Sequence, residues 1–253
     1  MATVSGSLAA EDRLRWITDR LTAEGAVTIA AAAAALEVSE MTIRRDLEEL
    51  EERGTARRVR GGARAIGPEP FAERTQTNAR AKGRIAAKLA ALVPARGAVA
   101  FDASSTVMRL AALLGEAQDL TVLTNGLDTF SALNGLPGVQ PLLTGGRLEP
   151  RTGSLVGPLA SRTASQLSVQ VLFASAAAVS PGAGALEATL DEAEVKRAIA
   201  AGAERVVLAL DASKLGRPAV AVGLEWDQID VLVTDLDPDD DRLTPYRGLA
   251  ELL

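Results

Sequence analysis

The chain has 253 residues, 47% hydrophobic and 24% charged, with 33 acidic side chains against 27 basic ones and a formal charge of -6. It contains no Cys and no His, which excludes disulfides, thiol chemistry, Cys/His zinc centres and Ser-His or Cys-His catalytic pairs. Any chemistry rests on Asp, Glu, Lys, Arg, Ser or Thr, and because an acidic surface repels phosphate, only a local basic patch can touch nucleic acid.

The length admits a large core and a small one. The longest apolar runs, such as AAAAAL at 31–36, are too short to cross a bilayer, and no basic segment leading into an apolar one opens the chain. The expectation is a soluble, cytoplasmic protein that uses no membrane, metal or cofactor.

Leu14, Ile17 and Leu21 share one helical face, which Gly25 terminates. Thr28 is placed to cap a short helix over 29–36, and the turn Glu37-Val38-Ser39 follows. Ser39 is a natural N-cap for a helix over 40–53, its hydroxyl accepting from the N–H of Met41 or Thr42, with Gly54 as the stop. That helix buries Ile43, Leu47 and Leu50, so Thr42, Arg45 and the stem of Arg44 face solvent at its N-terminal end. In a helix-turn-helix the N-terminal residues of the second helix meet base edges in the major groove. Arg suits guanine O6 and N7, and Thr suits a thymine methyl or a phosphate.

Charge is sorted along this part. Residues 1–66 hold ten Arg and eleven acids, yet RGTARRVRGGAR at 53–64 carries five Arg and no acid, directly after the acidic run at 46–52. Such sorting makes a small positive patch in an acidic protein, as a localised DNA contact requires. The stretch AIGPEPFAERTQT that follows reads as a linker, with two prolines among small and polar residues.

From about 81 onward, short apolar runs alternate with helical patterns: GAVAFD at 97–102, LTVLT at 120–124, VQPLL at 139–143, VQVLFAS at 169–175, RVVLALD at 205–211 and DVLVTD at 230–235. Uniformly apolar strands separated by helices indicate a mainly parallel sheet covered on both faces. Ligands of such sheets sit beyond the carboxyl ends of the strands. The first run ends in DASST at 102–106 and leads into a helix at 106–114, a phosphate-binding arrangement that points to Asp102, Ser104, Ser105 and Thr106. Other runs end in TNG (Thr124, Asn125), TGG (Gly145, Gly146) and DASK (Asp211, Lys214). The chain holds 23 Arg and four Lys, namely Lys82, Lys88, Lys196 and Lys214, so a lysine marks a position where a compact ammonium is needed. Lys214, beyond a strand end, is the leading ligand-holding candidate; Lys82 and Lys196 fall on helices, and Lys88 reads as surface.

VSEMTIRRDLEELEERG followed by RVRGGA resembles the N-terminal signature of the DeoR-type bacterial transcriptional regulators, over about 9–64. The resemblance implies a winged helix-turn-helix over 9–64, with the helix-turn-helix at about 26–45 and the wing at 55–64. It makes Ser39, Thr42, Arg44 and Arg45 the cap and readers, and Arg58, Arg60, Gly61 and Gly62 the wing, Arg60 standing where the family usually has His. A looser resemblance over about 71–236 implies the family's sensor domain, a Rossmann-like fold similar to ribose-5-phosphate isomerase that binds phosphorylated sugars without turning them over. The D-x-S-K pattern places Lys214 at the ligand. Three positions depart from the pattern: Ser104 stands for a loop glycine, Gln170 for an Asp and Ala178 for a Gly. A serine forced into left-handed backbone costs about 1–2 kcal/mol, so Ser104 either keeps an ordinary conformation or weakens the site.

The expectation is therefore an α/β chain with a DNA-binding domain over 9–64, a linker over 65–80 and a sensor over 81–253. It acts as a homo-oligomeric repressor of a sugar or sugar-phosphate operon, with double-stranded operator DNA and a small phosphorylated metabolite as partners. Two alternatives stand beside it. One is a sugar-phosphate isomerase using Asp102, Asp211, Glu187 and Lys214, which Gln170 and Ala178 disfavour; the other is a DNA-binding protein with a degenerate sensor.

Overall fold

A computed structural model describes residues 3–53, 55–65 and 70–253, and the chain divides into two compact units, 1–70 and 71–253. In the first, α1 (Thr3–Glu24) leads through β1 (Ala26–Thr28) into α2 (Ile29–Ala35) and α3 (Glu40–Glu52), followed by β2 (Ala56–Val59) and β3 (Gly62–Ala65). Gly25 closes α1 with φ 74°, its N–H donating to the Leu21 carbonyl at 2.9 Å. Thr28 Oγ1 caps α2 by accepting from Ala31 N at 3.2 Å, and Ser39 Oγ caps α3 by accepting from Thr42 N at 3.2 Å. The expected stop at Gly54 lies outside the described residues.

Leu14, Ile17, Leu21, Ile43, Leu47 and Leu50 form one buried core with Val27, Ile29, Ala56 and Ala63. The strands make an antiparallel sheet of order β1-β3-β2. Three-residue β1 carries no sequence signal of its own; its backbone pairing to β3 holds it. That pairing requires Gly62, because a Cβ there would lie 2.0 Å from the Val27 carbonyl oxygen. Asp46 is buried within α3 and takes a two-pronged grip from Arg13, whose Nε and Nη2 reach its carboxylate oxygens at 2.9 and 3.0 Å.

The second unit opens with α4 (Phe71–Gln76) and α5 (Ala79–Ala90). The linker expected over 65–80 is thus folded from residue 71, where the Phe71 N–H donates to the Arg151 carbonyl at 2.7 Å; its residues 66–69 lie outside the described ones. Next come β4 (Arg96–Phe101), a 3-10 helix at Val107–Leu113, β5 (Asp119–Thr124), α6 (Leu127–Leu133), β6 (Val139–Leu143), β7 (Arg147–Glu149) and β8 (Ser154–Val156). The chain continues with α7 (Pro158–Ala164), β9 (Val169–Ala174), β10 (Ala178–Ser180), β11 (Gly184–Glu187), α8 (Leu190–Ala200), β12 (Ala203–Ala209), β13 (Ala221–Leu224), β14 (Val231–Val233) and β15 (Glu251–Leu252).

Seven strands form a parallel sheet of order β15-β14-β12-β9-β4-β5-β6, which includes all six expected runs and adds β15 at one edge. Alternate residues feed two cores. Val99 and Phe101 pack with Ile85, Leu89 and Leu110 on one face, while Ala100 and Leu172 pack with Ala160, Val195 and Ile199 on the other. The antiparallel group β10-β11-β13 and the hairpin β7-β8 lie outside this sheet, and periodicity did not announce them because their strands are three or four residues long. Strand order reverses between β9 and β4, and at such a switch point a crevice opens beyond the carboxyl ends.

Candidate functional site

The first unit presents α3 as the second helix of a helix-turn-helix. Its turn passes through Glu37 at φ 51°, after which Ser39 starts the helix. Ser39 Oγ and Thr42 Oγ1 lie 2.9 Å apart, so the two hydroxyls hold one another at the exposed helix start. Arg44 is exposed and pairs loosely with Glu40 at 3.5 Å; Arg45 is exposed and pairs with no described residue. Met41 is also solvent-facing, at 60% exposure, and adds an apolar group to the same end.

The hairpin β2-β3 turns through Arg60 and Gly61, the latter at φ 87°, and the Gly61 carbonyl accepts from Ile29 N at 2.9 Å. This ties the hairpin tip to the start of α2. Arg58 is engaged rather than free: its Nε reaches Glu51 at 2.8 Å, its Nη1 reaches Glu48 at 2.5 Å, and its backbone N–H donates to Glu51 at 2.9 Å. The acidic C-terminal half of α3 therefore serves as the anchor for the wing. Arg57 and Arg60 remain exposed on the hairpin, and Gly62 is fixed by the close approach of β1.

In the second unit, Asp102 follows β4 at the switch point and is fully engaged. Its Oδ1 accepts from Ser104 N at 3.0 Å, and its Oδ2 accepts from Ser175 N at 2.7 Å and from Lys196 Nζ at 2.5 Å. Lys196, only 6% exposed, also donates to the Ser175 carbonyl at 2.6 Å and stands 3.2 Å from Glu187 Oε1. That last approach is a charge contact, since Glu187 Oε1 is buried and accepts no aligned hydrogen bond. Lys214 Nζ reaches the Ala176 carbonyl at 2.6 Å and Ser175 Oγ at 3.4 Å, next to the same strand end. Lys82, 3% exposed, donates to Ser105 Oγ at 3.0 Å and to the Arg74 carbonyl.

The ionisation states follow from this packing. Burial works against charge on Asp102, but Lys196 and the hydrogen bonds from Ser104 and Ser175 outweigh it and hold its carboxyl below the ordinary value. Lys196 is desolvated too, yet Asp102 and Glu187 keep it charged more firmly than a free lysine. Burial pushes Glu187 up to about 7, with Lys196 opposing and Glu192 and Asp102 adding to the rise. Burial, together with Lys214, brings Lys82 down to about 8; Lys214 is lowered as well, chiefly by burial.

The expected loop residues separate into two groups. Ser105 is bound by Lys82, whose charge is felt together with that of Lys214, and among the described residues the N–H groups of Ser105 and Thr106 donate to nothing. Ser104 is not strained: Glu37 and Asn78 are the described non-glycine residues with positive φ, and Ser104 Oγ accepts from Val107 N at 3.1 Å. It acts as a cap of the following turn. That turn is a seven-residue 3-10 helix instead of the expected helix over 106–114, so its dipole adds little to the two free N–H groups.

Thr124 Oγ1 accepts from Gly126 N at 3.0 Å, and Asn125 is bonded to the Leu155 backbone through both its side chain and its carbonyl. Gly145 and Gly146 have φ 70° and 119°, and a Cβ on Gly146 would lie 2.8 Å from the Val156 carbonyl oxygen. These four shape the neighbouring strand ends. Gln170 sits at the start of β9 against Gly97, at the opposite end of the sheet from Asp102, so its identity does not bear on the site. Ala178 is buried in β10, paired with Leu186.

Sequence reasoning favoured Lys214 and left Lys82 and Lys196 undecided, although these two are the buried lysines. The scarcity of lysine was the usable signal, and three of the four lysines stand around this site. Lys88, read as surface, binds the carbonyls of Thr234 and Leu236 at 2.9 and 2.8 Å. Among the described residues no group of acids, His or Cys is placed to hold a metal ion, and no helix is long and apolar enough to cross a membrane.

Comparison with known proteins matches residues 13–69 to the model of the DeoR-like helix-turn-helix domain and residues 77–236 to that of the DeoR C-terminal sensor domain. The chain is 33% identical to the HTH-type transcriptional regulator GolR of Listeria innocua, over 83% of this chain and 84% of that one. It is 32% identical to the HTH-type transcriptional repressor GlcR of Bacillus subtilis, covering 90% and 89%. It is 30% identical to the glycerol-3-phosphate regulon repressor of Escherichia coli, covering 79% and 81%. Among solved structures, ribose 5-phosphate isomerase A of Methanocaldococcus jannaschii is similar at a TM-score of 0.40 and 15% identity, over 55% of each chain.

Glu187 yields a test of the buried charge cluster. Its folded value of about 7 lies above the ordinary 4.5, so the protonated form favours folding. This contribution is complete below the unfolded value and is lost as pH rises through 7. Glu187→Gln keeps a neutral group at every pH, so its stability relative to wild type should rise between pH 5 and pH 8, by roughly 1–3 kcal/mol. Melting temperatures of both proteins at the two pH values check this, and a constant gap would show that Glu187 stays ionised throughout.

Proposed function

The chain belongs to the DeoR family of DNA-binding transcriptional regulators, and from that membership we propose that it represses an operon of sugar or sugar-phosphate metabolism under the control of a small phosphorylated metabolite. The observation that carries the sensor half of this reading is the meeting of Lys82, Lys214, Ser105 and the free N–H groups of Ser105 and Thr106 beside Asp102. Ammonium groups, a hydroxyl and unshared backbone donors suit the oxygens of a phosphate. Asp102 repels an anion and is already committed to Lys196, so it holds the loop in place and does not touch phosphate. Thr124, Asn125, Gly145 and Gly146 form the rim. The name of the Escherichia coli relative, a glycerol-3-phosphate regulon repressor, supports a phosphorylated carbon compound as the ligand class.

On the DNA side, Thr42, Arg44, Arg45 and Ser39 form the reading end of α3, with Arg60 at the hairpin turn beside the backbone. Arg58 holds the wing to α3 through Glu48 and Glu51. One recognition helix per chain is little for specific binding, and two half-sites about 10.5 bp apart need two subunits. The solvent-facing Leu148, Leu159 and Leu190, on β7, α7 and α8, support self-association through the sensor unit.

An isomerase is the second reading, favoured by Glu187 alone, whose value of about 7 suits a proton-transferring base. Asp102 and Lys196 are locked to one another, so they offer no second mobile group. A coupled aldose–ketose isomerase assay with sugar phosphates separates the readings, since the regulator gives no turnover.

Arg45→Ala should cost about 1–3 kcal/mol on the operator and much less on random DNA, because it removes a base contact. Arg58→Ala should weaken binding by loosening the wing, with a change in salt slope smaller than the one unit that a lost phosphate contact produces. Fluorescence anisotropy across a salt series measures both, and equal loss on operator and random DNA for Arg45→Ala would remove base reading from it. Light scattering of the full chain at micromolar concentration should give a dimer or larger; a monomer that binds its operator tightly would refute the two-subunit reading. Calorimetric titration of sugar phosphates and their unphosphorylated parents should show preference for the phosphates, lost in Lys214→Ala and falling as pH rises through about 8, where Lys82 loses its proton. Preference for the neutral parents would end the phosphate reading.

A further inference from the structure

Two arginines of the sensor unit are held in an unusual way. Arg74 lies in α4 and Arg109 in the 3-10 helix that follows the 102–106 loop. Arg74 donates Nη2 to the Thr152 carbonyl at 3.0 Å and stacks over Phe71 with its guanidinium carbon 5.3 Å from the ring centre. Arg109 donates Nη2 to the Thr75 carbonyl at 2.8 Å. In each, the Nε N–H is buried and has no acceptor among the described residues. A buried charged donor without a partner is costly, and two at one place are a sign of a missing acceptor.

Their surroundings give that acceptor its sign. The charges of Arg74 and Arg109 are both felt at Lys82, and that of Arg74 also at Lys214. Against these four cations stands Asp211, whose Oδ1 already accepts from Asn78 Nδ2 at 2.9 Å and from Ser213 N and Oγ at 3.1 and 2.5 Å. The carboxylates of Asp102 and Glu187 are shared by Lys196. Like charges brought together away from water repel strongly, and the acids named here, among the described residues, number fewer than the cations they face.

We infer that Arg74 and Arg109 are anion-binding residues of the sensor pocket, completing with Lys82 and Ser105 a site for a group of the phosphate class. The inference rests on the sugar-phosphate reading above and adds the residues that recognise the charged end of the effector. A guanidinium Nε N–H donates along a fixed direction, so two of them from different elements fix the position of a tetrahedral oxyanion better than a flexible ammonium alone. The same donors also hold the end of α4: Lys82 and Ser105 Oγ bind the Arg74 carbonyl, and Arg109 binds that of Thr75. A bound anion shares these donors with the last carbonyls of α4, the first helix after residues 66–69.

The test uses the full chain and inorganic phosphate as the probe, read by calorimetry and by the phosphate-dependent rise in melting temperature. Arg74→Gln and Arg109→Gln should each weaken phosphate binding about tenfold, and Arg74→Lys and Arg109→Lys should recover part of the loss. If wild type and both Gln variants bind phosphate equally while Lys214→Ala does not, the arginines only cap α4 and the inference is overturned, with the sugar-phosphate reading intact. If wild type binds neutral sugars but no phosphate, that reading fails and this inference with it. Should either Gln variant fail to fold, the Lys variant of that arginine carries the test, since wild-type affinity there, where the directed Nε N–H is lost, overturns the inference.

Discussion

The sensor unit depends on one buried ammonium. Lys196 rises from α8 into the ends of β4 and β9, where Asp102 Oδ2 and the Ser175 carbonyl accept hydrogen bonds from it at 2.5 and 2.6 Å. An ammonium this deep requires a negative partner, and Asp102 supplies it at the point where strand order reverses. With the carboxylate pinned, Ser104 N and Ser175 N are pinned as well, and the chain between Asp102 and Val107 takes a defined path. That path leaves two backbone N–H groups unshared. The loop is therefore preorganised by charge and hydrogen bonding, with no left-handed serine.

The DNA-binding unit uses the same device on a smaller scale. Arg13 grips buried Asp46, which fixes α3 against α1, and Glu48 and Glu51 fix the wing through Arg58. In both units acids do internal work on cations. This explains how an acidic chain keeps Arg45 exposed and unpaired among the described residues: several of the other arginines of this unit are committed to neighbouring carboxylates. Exposed pairs of this kind contribute little stability each, so their value lies in placement.

Much of the positional information was local and hence legible. Apolar spacing marked the core faces of α1 and α3, hydroxyls marked the caps Thr28 and Ser39, and the uniformly apolar runs marked six of the strands in the central sheet. The strand-end rule points to the loop after β4. What failed was any inference about the company a residue keeps. Gln170, which the resemblance sets at a site position, stands in β9 at the far end of the sheet, and Arg74, within the stretch that reads as linker, gives its carbonyl to Lys82 and Ser105.

By itself the sequence determined the two-unit plan, the helix-turn-helix with its exposed arginines, the parallel sheet and the family, because periodicity, capping and motif are properties of neighbouring residues. Tertiary structure alone decided which lysines are buried, that Glu187 sits at about 7, that Arg58 is an anchor and that Arg74 and Arg109 keep unpaired buried donors. Each of these depends on residues tens to more than a hundred positions apart meeting in a space of low dielectric, where burial sets the strength of every charge and where no local pattern records the meeting.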